Sequence, residues 1–102
     1  MSEQDGNDEF NFEDQLIEAD WSMLEPHHKR GGLFVIAQEL DLKEVARSVA
    51  NDEIEKVKEW LEKGDFRHPT EAEIETWSAD NYRKFAIFVI VQPYVLIQKL
   101  GH

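Results

Sequence analysis

One stretch constrains the fold of this chain more than any other: Phe85-Ala-Ile-Phe-Val-Ile-Val91. Ile, Val and Phe fall on both alternating faces, so neither face can be left to water. Such β-branched and aromatic density favours a strand over a buried helix, and a strand apolar on both sides needs cover on both. Pro93 then marks a bend or an edge position, and Tyr94–Ile97 continues either as a second strand or as a terminal helix. Leu33-Phe34-Val35-Ile36-Ala37, directly after two glycines, has the pattern of another buried strand.

Three helix starts lie between these runs. Asp41-Leu42-Lys43-Glu44 has the form of a capping box, with Leu42, Val45, Ala46 and Val49 as an apolar stripe. Asp52-Glu53-Ile54-Glu55 reads as a second box, with Ile54, Val57 and Leu61 on one face and Gly64 placed to end the helix. Pro69-Thr70-Glu71-Ala72-Glu73 is the third, with Ile74 and Trp77 directed inward. Upstream, Asn11 is suited to cap a short helix over Phe12–Ala19. Trp21, Met23 and Leu24 form an apolar knot, and Pro26 is expected to end any helix there. The expected fold is α+β, with a small mixed sheet of two to three strands packed against three to four helices. Residues 1–9, acidic and polar, are expected to be a disordered tail, and residues 10–102 a single domain.

With 102 residues, 41% of them hydrophobic, the chain has enough material for a packed core. It has no cysteine, which removes disulfides and thiolate metal sites and points to a reducing compartment. The first residues carry no basic or apolar leader pattern. Phe85–Ile97 is broken by Gln92 and Pro93 and falls short of the roughly 20 apolar residues of a spanning helix. A cytoplasmic protein that does not engage membranes is expected. Net charge is −11, and residues 1–28 hold nine carboxylates with no Lys or Arg. That field repels nucleic acid and anionic lipid. The acidic segment serves either as a solubilising tail or as a surface that docks on a protein partner with a basic face or mimics nucleic-acid charge.

The glycines match no phosphate-loop or dinucleotide pattern, no serine lies in a nucleophile elbow, and no His pair has helical ligand spacing. No catalytic residue, metal site or cofactor is therefore assigned. The one chemically concentrated stretch is Glu25-Pro26-His27-His28-Lys29-Arg30-Gly31-Gly32. There His27, Lys29, Arg30, Gly31 and Gly32 are the candidate ligand-binding residues. A histidine could serve as acid–base group, and the two cations and the glycine amides could hold an anion. The plainer reading is a solvated turn, whose paired glycines supply positive φ or let another backbone approach. His68 reads as a loop residue before Pro69, and Trp21, Trp60 and Trp77 as core or groove-lining groups.

Three segments carry a resemblance: Trp21-Ser22-x-Leu24-Glu25-Pro26-His27-x-x-Arg30-Gly31, Leu40-Asp41-Leu42-x-x-Val45-Ala46, and Val91-Gln92-Pro93-Tyr94-Val95-Leu96. Together they resemble a family of small bacterial proteins known as a domain of unknown function, over about residues 12–98. Tyr94 stands where the family pattern has Trp. The resemblance implies a bacterial origin and brings no catalytic residues with it.

The function expected from the sequence is a non-enzymatic binding or assembly module of a bacterial cytosol. The alternative is a small-ligand or anion-binding protein using the His27–Gly32 turn, with weak acid–base activity at most. A sheet of two or three strands would leave an edge bare, so a homodimer joining at Phe85–Tyr94 stands beside a monomer whose edge is covered by its own chain.

Overall fold

The computed structural model describes residues 17–100. Nine elements follow in order: β1 (Ile17–Ala19), α1 (Trp21–Lys29), β2 (Leu33–Ile36), α2 (Leu42–Ala50), α3 (Ile54–Lys63), β3 (Phe66–Arg67), α4 (Glu71–Ala79), β4 (Ala86–Val91) and β5 (Tyr94–Lys99). The α+β class holds, but the sheet has five strands rather than two or three, in the order β1-β4-β5-β2-β3. β2 and β5 run parallel, and every other pair is antiparallel. The two unforeseen strands, β1 and β3, are three and two residues long. Periodicity has nothing to register in so short a segment; both exist because a neighbouring strand offers them an edge.

β4 meets the demand its sequence makes. Its alternate residues enter two cores, so the sheet is the middle layer of three. On one side, α2 and α3 cover Ile36, Phe66, Val89, Val91 and Leu96. On the other, α1 and α4 cover Leu33, Val35, Ala86, Val95 and Ile97. β4 has β1 on one flank over Ala86–Phe88 and β5 on the other over its whole length. The sheet ends in the two short strands, a common way to blunt an edge. The bare Phe85–Val91 edge expected from two or three strands is thus absent over Ala86–Phe88. β5 settles the choice left open for Tyr94–Ile97: it is a strand, joined to β4 through Gln92 and Pro93, whose peptide bond is cis.

The helix starts divide by what their residues are needed for. Asp41 caps α2 by accepting from the Lys43 amide at 3.0 Å, and Leu42, Val45 and Ala46 are buried beneath it. Thr70 and Glu73 form the full reciprocal box at α4. The box expected at Asp52 does not form: Glu53 occupies the cap position of α3 and makes no side-chain cap bond. Asp52 is instead used to end α2. It takes φ +62°, its amide donates to Val49 and the Glu53 amide donates to Ser48. This is the left-handed closure in which two amides fold back onto the last helical carbonyls.

Two expectations near the N-terminus are corrected. A helix over Phe12–Ala19 is not formed at Ile17–Ala19, which is strand β1; residues 12–16 lie outside the described residues, as does the 1–9 tail. Pro26 does not end a helix, because α1 runs through it to Lys29. An internal proline costs about 3 kcal/mol. Trp21 and Leu24 of the same helix are buried to 3% and 1% exposure, and burial of two such side chains returns about 4 kcal/mol or more. Asp20 caps this helix through the Met23 amide and pairs with Lys84 at 3.4 Å, which ties α1 to the approach to β4. The Ser22 hydroxyl bond, with those partners, holds its carboxyl below the usual range.

Candidate functional site

The structure uses the His27–Gly32 segment as the end of α1. The Gly31 amide donates to the His28 carbonyl at 2.9 Å and the Gly32 amide to the His27 carbonyl at 3.0 Å. Both amides that could have faced an anion are therefore turned onto the helix. Each glycine has its own reason. Gly31 sits at φ +78° with open space around it, while a β-carbon on Gly32 would stand 3.1 Å from the Pro93 carbonyl oxygen. Replacing Gly31 by Ala is expected to lower stability by about 1 kcal/mol, read as a shift of the urea midpoint at unchanged slope.

Two side chains of the segment do come together: the Arg30 guanidinium lies 2.7 Å from His27 Nδ1. Arginine only donates, so Nδ1 accepts and the ring proton sits on Nε2. Burial first, and then the Arg30 charge, push the His27 imidazolium pKa down. His28 turns the other way, its ring 5.7 Å from Trp21, and Lys29 meets Glu25 at 3.9 Å on the surface. Among the described residues, no three His, Asp or Glu side chains gather as a metal ion would require.

The more developed concavity lies elsewhere, between α3 and the sheet. It is a groove of about 370 Å³. Its floor is an aromatic group centred on Phe34, with the Phe66 ring 4.8 Å away and Tyr94 edge-on at 5.7 Å; His68, which does not itself line the groove, stacks on Phe34 at 4.4 Å. Its wall is the α3 stripe Ile54, Val57 and Leu61, and Asp52, Glu53 and Lys58 stand on the rim. The three stripe residues share one face of α3 as their spacing requires, yet no residue of that helix is fully buried, and Ile54 and Leu61 remain 66% and 49% exposed. The helix is amphipathic, but its apolar face is only half covered.

The groove was not legible as a site because its floor comes from β2, β3 and β5, which are far apart in the chain. One signal was available: α3 brings only isolated apolar residues to its stripe, and the other seven of its ten residues are Glu, Lys and Trp. Of the sequence-selected groups, His68 packs against Phe34, and its Nδ1–H donates to the Leu33 carbonyl at 3.1 Å. Trp21 and Trp77 belong to the opposite core, and Trp60 packs partly buried on the α2–α3 side. A second cleft of about 310 Å³ lies on that opposite side, by Trp77, Arg83 and Lys99.

The model of the DUF2288 family, described as a protein of unknown function, matches residues 9–99. The chain belongs to this family. Among solved structures, the NMR solution structure of PA1075 from Pseudomonas aeruginosa is similar, at 30% identity. The likeness covers all of this chain and 93% of that one, with a TM-score of 0.76. No curated protein matches the chain.

Proposed function

We propose that this DUF2288 domain is a non-enzymatic binding module that seats apolar side chains of a protein partner in the groove between α3 and the sheet. The observation that carries this reading is the half-covered stripe of α3 above an aromatic floor. A helix that served packing alone would bury Ile54 and Leu61, since each fully buried side chain of this kind contributes about 1.5–3 kcal/mol. Large exposed apolar groups gathered in a concavity are a recurrent mark of interaction sites. The open side of the groove favours a polypeptide, which brings its own cover, over a small molecule that would need enclosing. An apolar fluorescent dye such as anilinonaphthalene sulfonate tests the groove in the full chain. Saturable binding is expected, with amide shifts at Phe34, Leu61, Phe66 and Tyr94. Leu61→Asp should abolish it while the variant melts within a few degrees of the parent. Binding that is unaltered by Leu61→Asp, or no saturable binding, would discard the groove.

A second reading keeps the His27–Gly32 segment as a weak anion contact. It is favoured by the close approach of Arg30 to His27 and rests on the Lys29 and Arg30 side chains alone, because the glycine amides have partners. Phosphate titrated to millimolar concentration should shift the His27 ring and Arg30 side-chain signals. Unmoved signals leave the segment as a helix end.

The acidic residues 1–9 are taken to lie outside the folding unit, because their charges repel one another and they bring little apolar surface to a core. Deleting residues 1–9 is expected to keep the melting temperature within a few degrees, and loss of cooperative unfolding would place them inside the unit. Among the described residues no helix is long and apolar enough to cross a membrane.

A further inference from the structure

We infer that the partner segment taken by the groove is a basic amphipathic helix lying along α3; this rests on the groove reading above and adds the partner's shape and charge. The shape follows from the wall. Ile54, Val57 and Leu61 are spaced i, i+3 and i+7, a straight stripe about 10 Å long over two helical turns. A stripe of that spacing is one half of a helix–helix contact, and the facing half is another helix with apolar residues at the same interval. The aromatic floor lies beside it and receives the ends of the partner's side chains.

The charge follows from the rim and the outer faces of α3. Residues 52–65 hold the carboxylates Asp52, Glu53, Glu55, Glu59, Glu62 and Asp65 against Lys56, Lys58 and Lys63. Two of these lysines are already engaged, Lys56 with Glu53 at 4.0 Å and Lys63 with Glu59 at 3.2 Å. The segment therefore presents a net negative frame around an apolar centre, on a chain whose total charge is −11. A second copy of the chain is poorly matched to it: a two-fold contact would bring the same acidic frame against itself. Lysine and arginine on the flanks of a partner helix match it, and they speed the encounter at low salt.

Two synthetic helical peptides of about 16 residues, long enough to populate a helix when bound, separate charge from shape. Both carry leucine at the i, i+3 and i+7 positions; one is flanked by lysine and the other has glutamate at the same places. Amide shifts in the full chain are expected to map the lysine peptide to Asp52–Leu61, Phe34, Phe66 and Tyr94. It should bind about tenfold or more tighter than the glutamate peptide and weaken as salt is raised. The double variant Asp52→Asn with Glu53→Gln should lose about fivefold of that affinity with its melting curve little changed. Equal binding of both peptides in the groove would overturn the basic partner and leave the groove reading standing. Dye binding without binding of either peptide would overturn the helical partner. A chain that sediments as a dimer with the groove amides protected would overturn the proposal in favour of a second copy.

Discussion

Acidification from pH 7 towards 3 is expected to weaken this domain markedly, with Glu73 of α4 the single largest identifiable contributor. The Glu73 carboxylate accepts two bonds from the Arg67 guanidinium, both 2.9 Å, one from the Thr70 amide at 2.9 Å and one from Lys99 at 3.0 Å. The Arg67 bonds first, with the Thr70 and Lys99 bonds behind them, pull its pKa down to about 2 against the cost of its burial. Three elements meet on this one side chain: the edge strand β3 through Arg67, the start of α4 through Thr70, and β5 through Lys99. A carboxylate with a depressed folded-state pKa stabilises the fold fully above its unfolded value near 4.5. The contribution then falls away as pH drops from there towards 2.

Glu73→Gln removes the charge and keeps the shape. The expected loss at pH 7 is about 2 kcal/mol, the range for charge-assisted bonds to a largely covered carboxylate. Part of the electrostatic term is screened, because Arg67 and Lys99 are themselves 37% and 45% exposed. Urea titrations of both proteins at pH 7 and pH 3 check the sign. The gap between them should narrow by about half at pH 3, and a gap that is constant with pH would show that the lost stability came from packing and not from the charge.

A second large effect is expected from Leu96→Ala in β5. Leu96 is 0% exposed, lies on a central strand between β4 and β2, and packs in the core under α2. Deleting its side chain leaves a cavity that the rigid sheet cannot close, and about 3 kcal/mol should be lost. For a domain of this size that corresponds to a fall in melting temperature of roughly 12–24 °C. Leu61→Ala, the same chemical change in the wall of the groove, should cost less than about 1 kcal/mol, since that side chain is already half in water. The pair is informative together in thermal melts. If Leu61→Ala were as damaging as Leu96→Ala, the apolar face of α3 would be part of the core, and no free surface would remain to bind a partner.

Local chemistry made much of this protein readable from its residues. The two-faced run Phe85–Val91 required a covered strand, and β4 is one: Ala86 and Val89, on its opposite faces, are buried in the two separate cores. Asp41 and Thr70 announced α2 and α4, since a cap depends on residues only a few positions apart. Gly64 marked the end of α3 for the same reason. What the sequence could not decide was every feature whose energy comes from distant partners. Pro26 argued against a helix, and the burial of Trp21 and Leu24 overrode it. Ile17–Ala19 and Phe66–Arg67 are strands only because β4 and β2 present them with hydrogen-bonding edges. His27–Gly32 looked like a chemical cluster, but its glycine amides are committed to closing α1. The groove is the clearest case. Ile54, Val57 and Leu61 were visible as a stripe, but whether the core covers a stripe or leaves it open depends on how far α3 stands from the sheet. The floor beneath it is made by Phe34, Phe66 and Tyr94, large rings brought from three strands to one place by the fold.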